Sequence, residues 1–299
     1  MGAVVLGAGN ETDDGTSVSG QEVAAAVARI GPQEVLRAVG GVRHGRVFDL
    51  GTCLGGEMPR GRPGMFADYR WASHHEPSLG GDEPSGFEYS MEVITGSLHQ
   101  SSHIDGLAHV QAQGRLFGGA TVEEAYGSAG WKVHGMETVS AIVGRGLLLD
   151  IPGALGVDRL KDDDVVDCPA VRAALTKQGS EVRGGDIVLV RTGKIQEYQR
   201  GEETYYDRAP GVDVDAGIWL YEQGMAVLGT DTSGTEPTPF ADPSRTAHRA
   251  LLVERGVYLL EILNLEELAA AEVYEFLFVC CPLKIVGATG SWVRPIAMI

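Results

Sequence analysis

The sequence predicts a single α/β domain, a mixed β-sheet with flanking helices. Three observations carry that reading. Short apolar runs rich in Val, Ile, Leu and aromatic residues recur along the chain, with helical stretches between several of them, the pattern of a helix-covered sheet. Glycine accounts for 42 of 299 residues, about twice the ~7% average, as many tight turns between short elements require. No Pro/Gly/Ser-rich linker divides the chain. Residues 1–45 read as a leader with helices and residues 46–299 as the main domain.

In chain order, residues 9–20 are a polar leader. Ser19 and Glu22 have capping-box spacing for a helix through Ala24–Ile30, and a second helix starts at Pro32 and runs to Val39. Strands are expected at Arg46–Leu50, Tyr89–Ile94, Gly146–Ile151, Asp186–Arg191, Met225–Gly229, Val257–Glu261 and Glu275–Cys281. Asp167 and Pro169 open a helix through Ala170–Lys177. Asp213 and Asp215 occupy the first turn of another, ending near Gln223, and Thr246–Arg255 is a third. The segments 53–88 and 231–245, rich in Gly, Pro, Asp and Ser, are long for connections, and such loops often carry sites.

Hydrophobic residues at 43% and charged residues at 22% exclude a disordered chain. A formal charge of −17 repels phosphate backbones and anionic membranes, so neither nucleic acid nor membrane is an expected partner. No apolar run approaches the ~20 residues of a membrane span. The N-terminus has no basic region of the secretory type, so a cytoplasmic location is expected. Cys53, Cys168, Cys280 and Cys281 show no CxxC spacing and read as buried thiols in a reducing compartment. Val4–Gly9 looks like the start of a dinucleotide fingerprint, but Thr12 stands at the third glycine position. Asp162–Asp164 reads as a solvated turn.

The chemistry concentrates in His99-Gln-Ser-Ser-His103-Ile-Asp105-Gly-Leu-Ala-His109. The separations of 4, 2 and 4 are all even, which on an extended strand places every side chain on one face. A straight strand would spread them over ~33 Å, so the segment must bend, most naturally at Gly106. That leaves His99, His103 and Asp105 as one group and His109 on a returning limb. Two imidazoles and a carboxylate without cysteine suit Zn²⁺, Mn²⁺ or Fe²⁺ with positions left open, and leave His109 free to move protons. Downstream, Val257, Leu259 and Glu261 share a strand face, where a buried carboxylate needs a cation, a metal or several donors. His248 precedes Glu261 by 13 residues. Taken alone, Glu261 also reads as a strand-end charge paired with Arg255 or Arg294, and His248 as a helix-surface residue.

The segment 99–109 resembles the HxGTHxDxPxH signature of the metal-dependent cyclase family, which includes bacterial kynurenine formamidase and isatin hydrolase. Gly144–Asp150, Gly185–Gly193, Leu228–Thr232, Glu261–Leu268 and Pro282–Ser291 also look like family segments, so the resemblance spans roughly residues 46–299. It implies a swivelling β/β/α fold and homodimers or homotetramers. It implies that His99, His103 and Asp105 are metal ligands and His109 the general acid/base. His248 and Glu261 match the residues that complete the site in two-zinc members, whereas other members hold one Mn²⁺. Ser101 and Ser102 replace Gly-Thr, and Leu107 replaces Pro, so the substrate of kynurenine formamidase does not transfer. Phe66 and Trp71 fall where the family's early aromatic loop contacts substrate.

The expected reaction is hydrolysis of a small amide, imide or lactone by metal-activated water, with His109 shuttling the proton. A cyclase or dehydratase acting on a natural-product intermediate is the alternative within enzymes, and a metal-stabilised binding protein the alternative outside them. Arg191, Arg245 and Arg294 are candidates, by residue type, to meet a substrate carboxylate.

Overall fold

The parallel runs of Val, Ile and Leu form the centre of a mixed sheet. The computed structural model describes residues 24–60, 69–76 and 88–299. The sheet strands among them are β1 (Val47–Asp49), β2 (His103–Asp105), β3 (Ile142–Asp150), β4 (Ile187–Arg191), β5 (Val227–Thr230), β6 (Tyr258–Glu261), β7 (Glu275–Cys280), β8 (Gly290–Trp292) and β9 (Ile296–Met298). Their order is β1-β9-β7-β3-β4-β5-β6-β2-β8. Strands β3 to β6 run parallel and next to one another, and antiparallel strands flank them on both sides. Every residue of β4, β5 and β6 is buried, as parallel strands covered on both faces must be.

Helices supply part of that cover, and two of the longer ones begin at an aspartate cap. The Asp167 carboxylate accepts the Ala170 N–H at the start of Cys168–Gln178, and Gly179 closes the helix at φ 65°. Asp213 does the same for Val214–Glu222 through the Ala216 N–H. The helix Pro32–Gly40 packs on β3 and β7, so this part of the N-terminal region joins the main body.

Several elements differ from expectation. The stretch Ala24–Ile30 forms only a 3₁₀ turn, Ala26–Arg29, because Gly31-Pro32 follows and the residue before proline is steered away from helical geometry. Ser19 and Glu22, the Val4–Gly9 run and Phe66 lie outside the described residues. Thr246–Arg255 contains a π-helical turn over Arg249–Val253, directly after His248, a wide turn often found beside functional residues. Tyr89–Thr95 is a strand, but it pairs with Arg70–Glu76 as a separate ribbon. The four cysteines are free, yet only Cys280 is buried. Cys281 follows the end of β7 and is exposed, and Cys53 lies in an exposed loop position. No described helix is long and apolar enough to cross a membrane.

Candidate metal centre

The site begins with strand register. In the antiparallel pair β2–β6, His103 lies opposite Glu261 and Asp105 opposite Leu259. His103 and Asp105, two residues apart, therefore share a face with Glu261, while Ile104 between them is fully buried. The strand covers only His103–Asp105. His99 arrives by the turn before it, so the even spacing from 99 to 103 does not act through a strand. Ser101 makes that turn with φ 57°, a left-handed conformation that favours glycine and stands where the resembled signature has one. Its hydroxyl meets Thr52 Oγ1 at 2.8 Å, and the Ser102 hydroxyl donates to the Ile262 carbonyl at 2.6 Å. The bend at Gly106 is present: the His109 N–H donates to the Gly106 carbonyl at 2.9 Å. A Cβ on Gly106 would stand 2.9 Å from Met136 Sδ and 3.0 Å from the Thr289 carbonyl oxygen, which explains the glycine.

Six side chains converge. Asp105 Oδ1 lies 2.7 Å from His99 Nδ1 and 3.5 Å from His103 Nε2. Asp105 Oδ2 lies 3.3 Å from His248 Nε2 and 3.9 Å from His109 Nε2. Glu261 places Oε1 3.3 Å from His248 Nε2 and Oε2 3.6 Å from His103 Nε2. His103 Nδ1 faces the Ser101 carbonyl at 2.8 Å, which makes Nδ1 the donor and leaves the Nε2 lone pair toward the carboxylates. His99 Nε2 meets Thr289 Oγ1 at 3.0 Å, and His109 stacks on His99 with centroids 4.0 Å apart.

The electrostatics follow from two buried carboxylates beside four imidazoles. Burial opposes charge on His103, but Asp105 and Glu261 outweigh it and raise its pKa. Burial opposes charge on His248 too, and Glu236, Glu261 and Asp105 hold it well above the ordinary value. Burial would raise Asp105, yet His109, His103, His248 and His99 hold it well below the usual carboxylate range. His109 is pushed down to about 4, first by burial and then by His99 and His248, against the pull of Asp105. The two carboxylates thus favour positive charge at His103 and His248, a charge that a divalent cation held by the Nε2 lone pairs would supply as well. The donor set fits such an ion. Ligand atoms of His103, Asp105 and Glu261, and likewise of His99, Asp105 and His109, lie within 4.8 Å of one another, and buried Asp105 Oδ2 has no hydrogen-bond partner.

The cluster opens into a cavity of ≈ 450 Å³ whose further walls include Tyr206, Asp207, Ser233, Gly234, Thr238, Pro239 and Phe240. The long 231–245 segment supplies most of that wall. No arginine or lysine lines it among the described residues. Arg191 pairs with Asp150 and Glu266, Arg245 with Asp215, and Arg294 with Asp49, so these three are spent elsewhere. Arg255 faces Glu254, and neither it nor Arg294 meets Glu261. Trp71 sits 59% exposed on the Arg70–Glu76 strand of the separate ribbon and does not line this cavity.

Sequence reasoning missed three supporting residues. The Thr235 hydroxyl donates to Glu261 Oε1 at 3.0 Å, Glu236 Oε2 meets His248 Nδ1 at 2.6 Å, and Thr289 holds His99. Only the length of the 231–245 loop pointed toward the first two.

Fold and donor set together define an α/β protein with a candidate His/Asp/Glu metal centre under a small-molecule cavity. The family model described as "Putative cyclase" matches residues 48–237, and the chain belongs to this Cyclase family. The match includes His99–His109 and Glu236 and ends before His248 and Glu261. The chain is similar to the crystal structure of a novel cyclase, with TM-score 0.81 and 28% identity, covering 92% of this chain and 95% of that one. It is similar in fold to an isatin hydrolase bound to the product analogue thioisatinate (TM-score 0.63, 20% identity, 90% and 99% covered). It is also similar in fold to a predicted metal-dependent hydrolase from Bacillus stearothermophilus (0.56, 19%, 85% and 98%). None of the curated proteins compared with the chain matches it.

Proposed function

We propose that this protein is a metal-dependent hydrolase that opens a small amide, imide or lactone. The observation that carries the reading is buried Asp105 Oδ2, which has no hydrogen-bond partner and lies 3.3 Å from His248 Nε2 and 3.9 Å from His109 Nε2, behind the His109, His248 and Glu261 side chains that line the cavity. His99, His103, Asp105, His248 and Glu261 would hold one or two ions, Zn²⁺ or Mn²⁺ by donor type. A bound ion supplies a Lewis acid and a water whose pKa falls toward ~7.

The chain's own residues do the rest. His109 has the longest contact to Asp105 and a side chain 30% exposed, so it can reach both the cluster and the cavity. With its pKa near 4 it is neutral at pH 7 and can accept a proton, then return it to the leaving nitrogen or oxygen. Tyr206, Pro239 and Phe240 offer apolar surface to a ring or chain. The absence of a lining cation among the described residues favours a neutral carbonyl compound. The same His109 could remove a proton α to a carbonyl, which keeps a cyclase or dehydratase as the second reading, supported by the family's description. We take the protein as a homodimer or homotetramer, to be checked by sedimentation velocity.

The deciding experiment incubates Zn²⁺- or Mn²⁺-loaded protein with aryl formamides, isatin-like imides and lactones. Ring opening or deformylation that depends on His109 is the expected result. No hydrolysis, with dehydration or cyclisation of a β-hydroxy ketone instead, would establish the second reading.

A further inference from the structure

We infer that Glu236 is a positioning residue for His248, fixing which imidazole nitrogen faces the candidate metal site. The inference rests on the metal-dependent reading above and names a residue outside its ligand set. Glu236 Oε2 lies 2.6 Å from His248 Nδ1 and accepts the backbone N–H of the same residue at 3.3 Å. One carboxylate oxygen thus holds both the ring and the main chain of His248. An acceptor at Nδ1 places the ring proton there and turns the Nε2 lone pair toward Asp105 Oδ2 and Glu261 Oε1, each 3.3 Å away. Without it, a proton on Nε2 would make His248 a donor to those carboxylates rather than a third donor atom for a cation. Carboxylates that orient a metal-binding imidazole in this way raise its basicity as well.

The position of Glu236 is built in. It is 4% exposed, and its Oε1 is buried with no hydrogen-bond partner, a costly place for a carboxylate. A Cβ on Gly211 would stand 2.3 Å from the Glu236 carbonyl carbon, so the backbone is seated closely there. Preceding Thr235 holds Glu261, so two consecutive residues of one loop each steady one candidate ligand. Glu236 is not itself part of either converging ligand group, and its Oε2 is engaged by His248.

The test measures Zn²⁺ affinity of the full chain by competition with a chromophoric chelator, and the absorption spectrum with Co²⁺. Glu236→Ala should weaken Zn²⁺ binding ~10–100-fold and shift the Co²⁺ bands, and Glu236→Gln, which keeps an acceptor without the charge, should weaken it less. Far-UV circular dichroism checks folding, and the Gln variant carries the test if the Ala variant does not fold. In a His248→Ala background, removing Glu236 should have no further effect on affinity, because its action runs through that ring. Unchanged affinity and spectrum in both Glu236 variants, with His248→Ala weakened, would overturn the positioning role alone. Unchanged affinity in His248→Ala would overturn it together with the assignment of His248 to the metal site.

Discussion

Gly290 is the cheapest place to disturb the site without touching a candidate ligand. It lies on β8 opposite Asp105, and a Cβ there would stand 2.6 Å from His99 Cε1, 3.0 Å from His99 Nε2 and 3.0 Å from the Ile104 carbonyl oxygen. To reach ordinary contact the His99 ring must withdraw by about 0.8 Å. It is pinned on one side by Asp105 at 2.7 Å and Thr289 at 3.0 Å, and stacked on the other against His109. Gly290→Ala therefore displaces both histidines. Overpacking of this kind costs ~1–3 kcal/mol, a fall of roughly 2–6 °C in melting temperature for a chain of this size. A misplacement near ~1 Å costs ~10²-fold in turnover. The assay pairs differential scanning calorimetry and chelator competition for Zn²⁺ with turnover of whichever carbonyl compound the panel identifies. Gly55→Ala, whose Cβ would meet nothing within 4 Å, is the control. Stability, Zn²⁺ affinity and turnover of Gly290→Ala all matching that control would refute the placement of His99.

Four further outcomes are expected. His103→Ala should sharply lower the Zn or Mn found by elemental analysis of purified protein, and unchanged content would remove His103 from the ligand set. His109→Ala should keep its metal and its fold but lose ~10²–10⁴-fold in kcat, and activity within tenfold of wild type would end the acid/base role. Glu261→Gln should weaken metal binding with partial rescue by excess Zn²⁺ or Mn²⁺; lost thermal stability with unaltered metal affinity would mark Glu261 as structural. Asp231 accepts the Thr192 and Gly193 N–H groups and the Thr192 hydroxyl, and burial pushes its pKa up to about 6. Because this lies above the unfolded value of ~3.9, its contribution is complete below about pH 4 and is lost as pH rises through about 6. Urea melts from pH 4.5 to 7.5 should show that loss in wild type and not in Asp231→Asn, and equal slopes would count against it.

The central strands were legible because burial on both faces leaves a largely apolar run, as in β4 to β6 and in the Leu147–Leu149 end of β3. Strands β8 and β9 were not, since three residues leave too little sequence for a period of two to show; the equally short β2 was legible only through the even spacing of its histidines and aspartate, and β1 only within the longer apolar run Arg46–Leu50. The Tyr89–Thr95 strand was legible as a strand but not as a ribbon apart from the sheet: alternation states that a segment is extended, not what it pairs with. Exposure of Cys281 beside buried Cys280 follows from the chain leaving the sheet, which residue type alone does not encode.

The site divides along the same line. His99, His103, Asp105 and His109 lie close together in sequence, so the bend at Gly106 could be deduced from the need to bring them together. Their arrangement still uses less strand than the even spacing implied, because Ser101 at φ 57° turns the chain between His99 and His103. Composition argued only that Glu261 needs a positive partner. What selects histidines over Arg255 or Arg294 is register: pairing Glu261 with His103 across β6–β2 fixes the face it shares with Asp105, while both arginines are committed to other carboxylates. Glu236 and Thr235 left no local pattern at all. They belong to a loop whose length was the only sequence sign that it reaches the site, and they contact His248 and Glu261, so such residues emerge only once the remaining nitrogens and oxygens of the candidate ligands are traced to their partners.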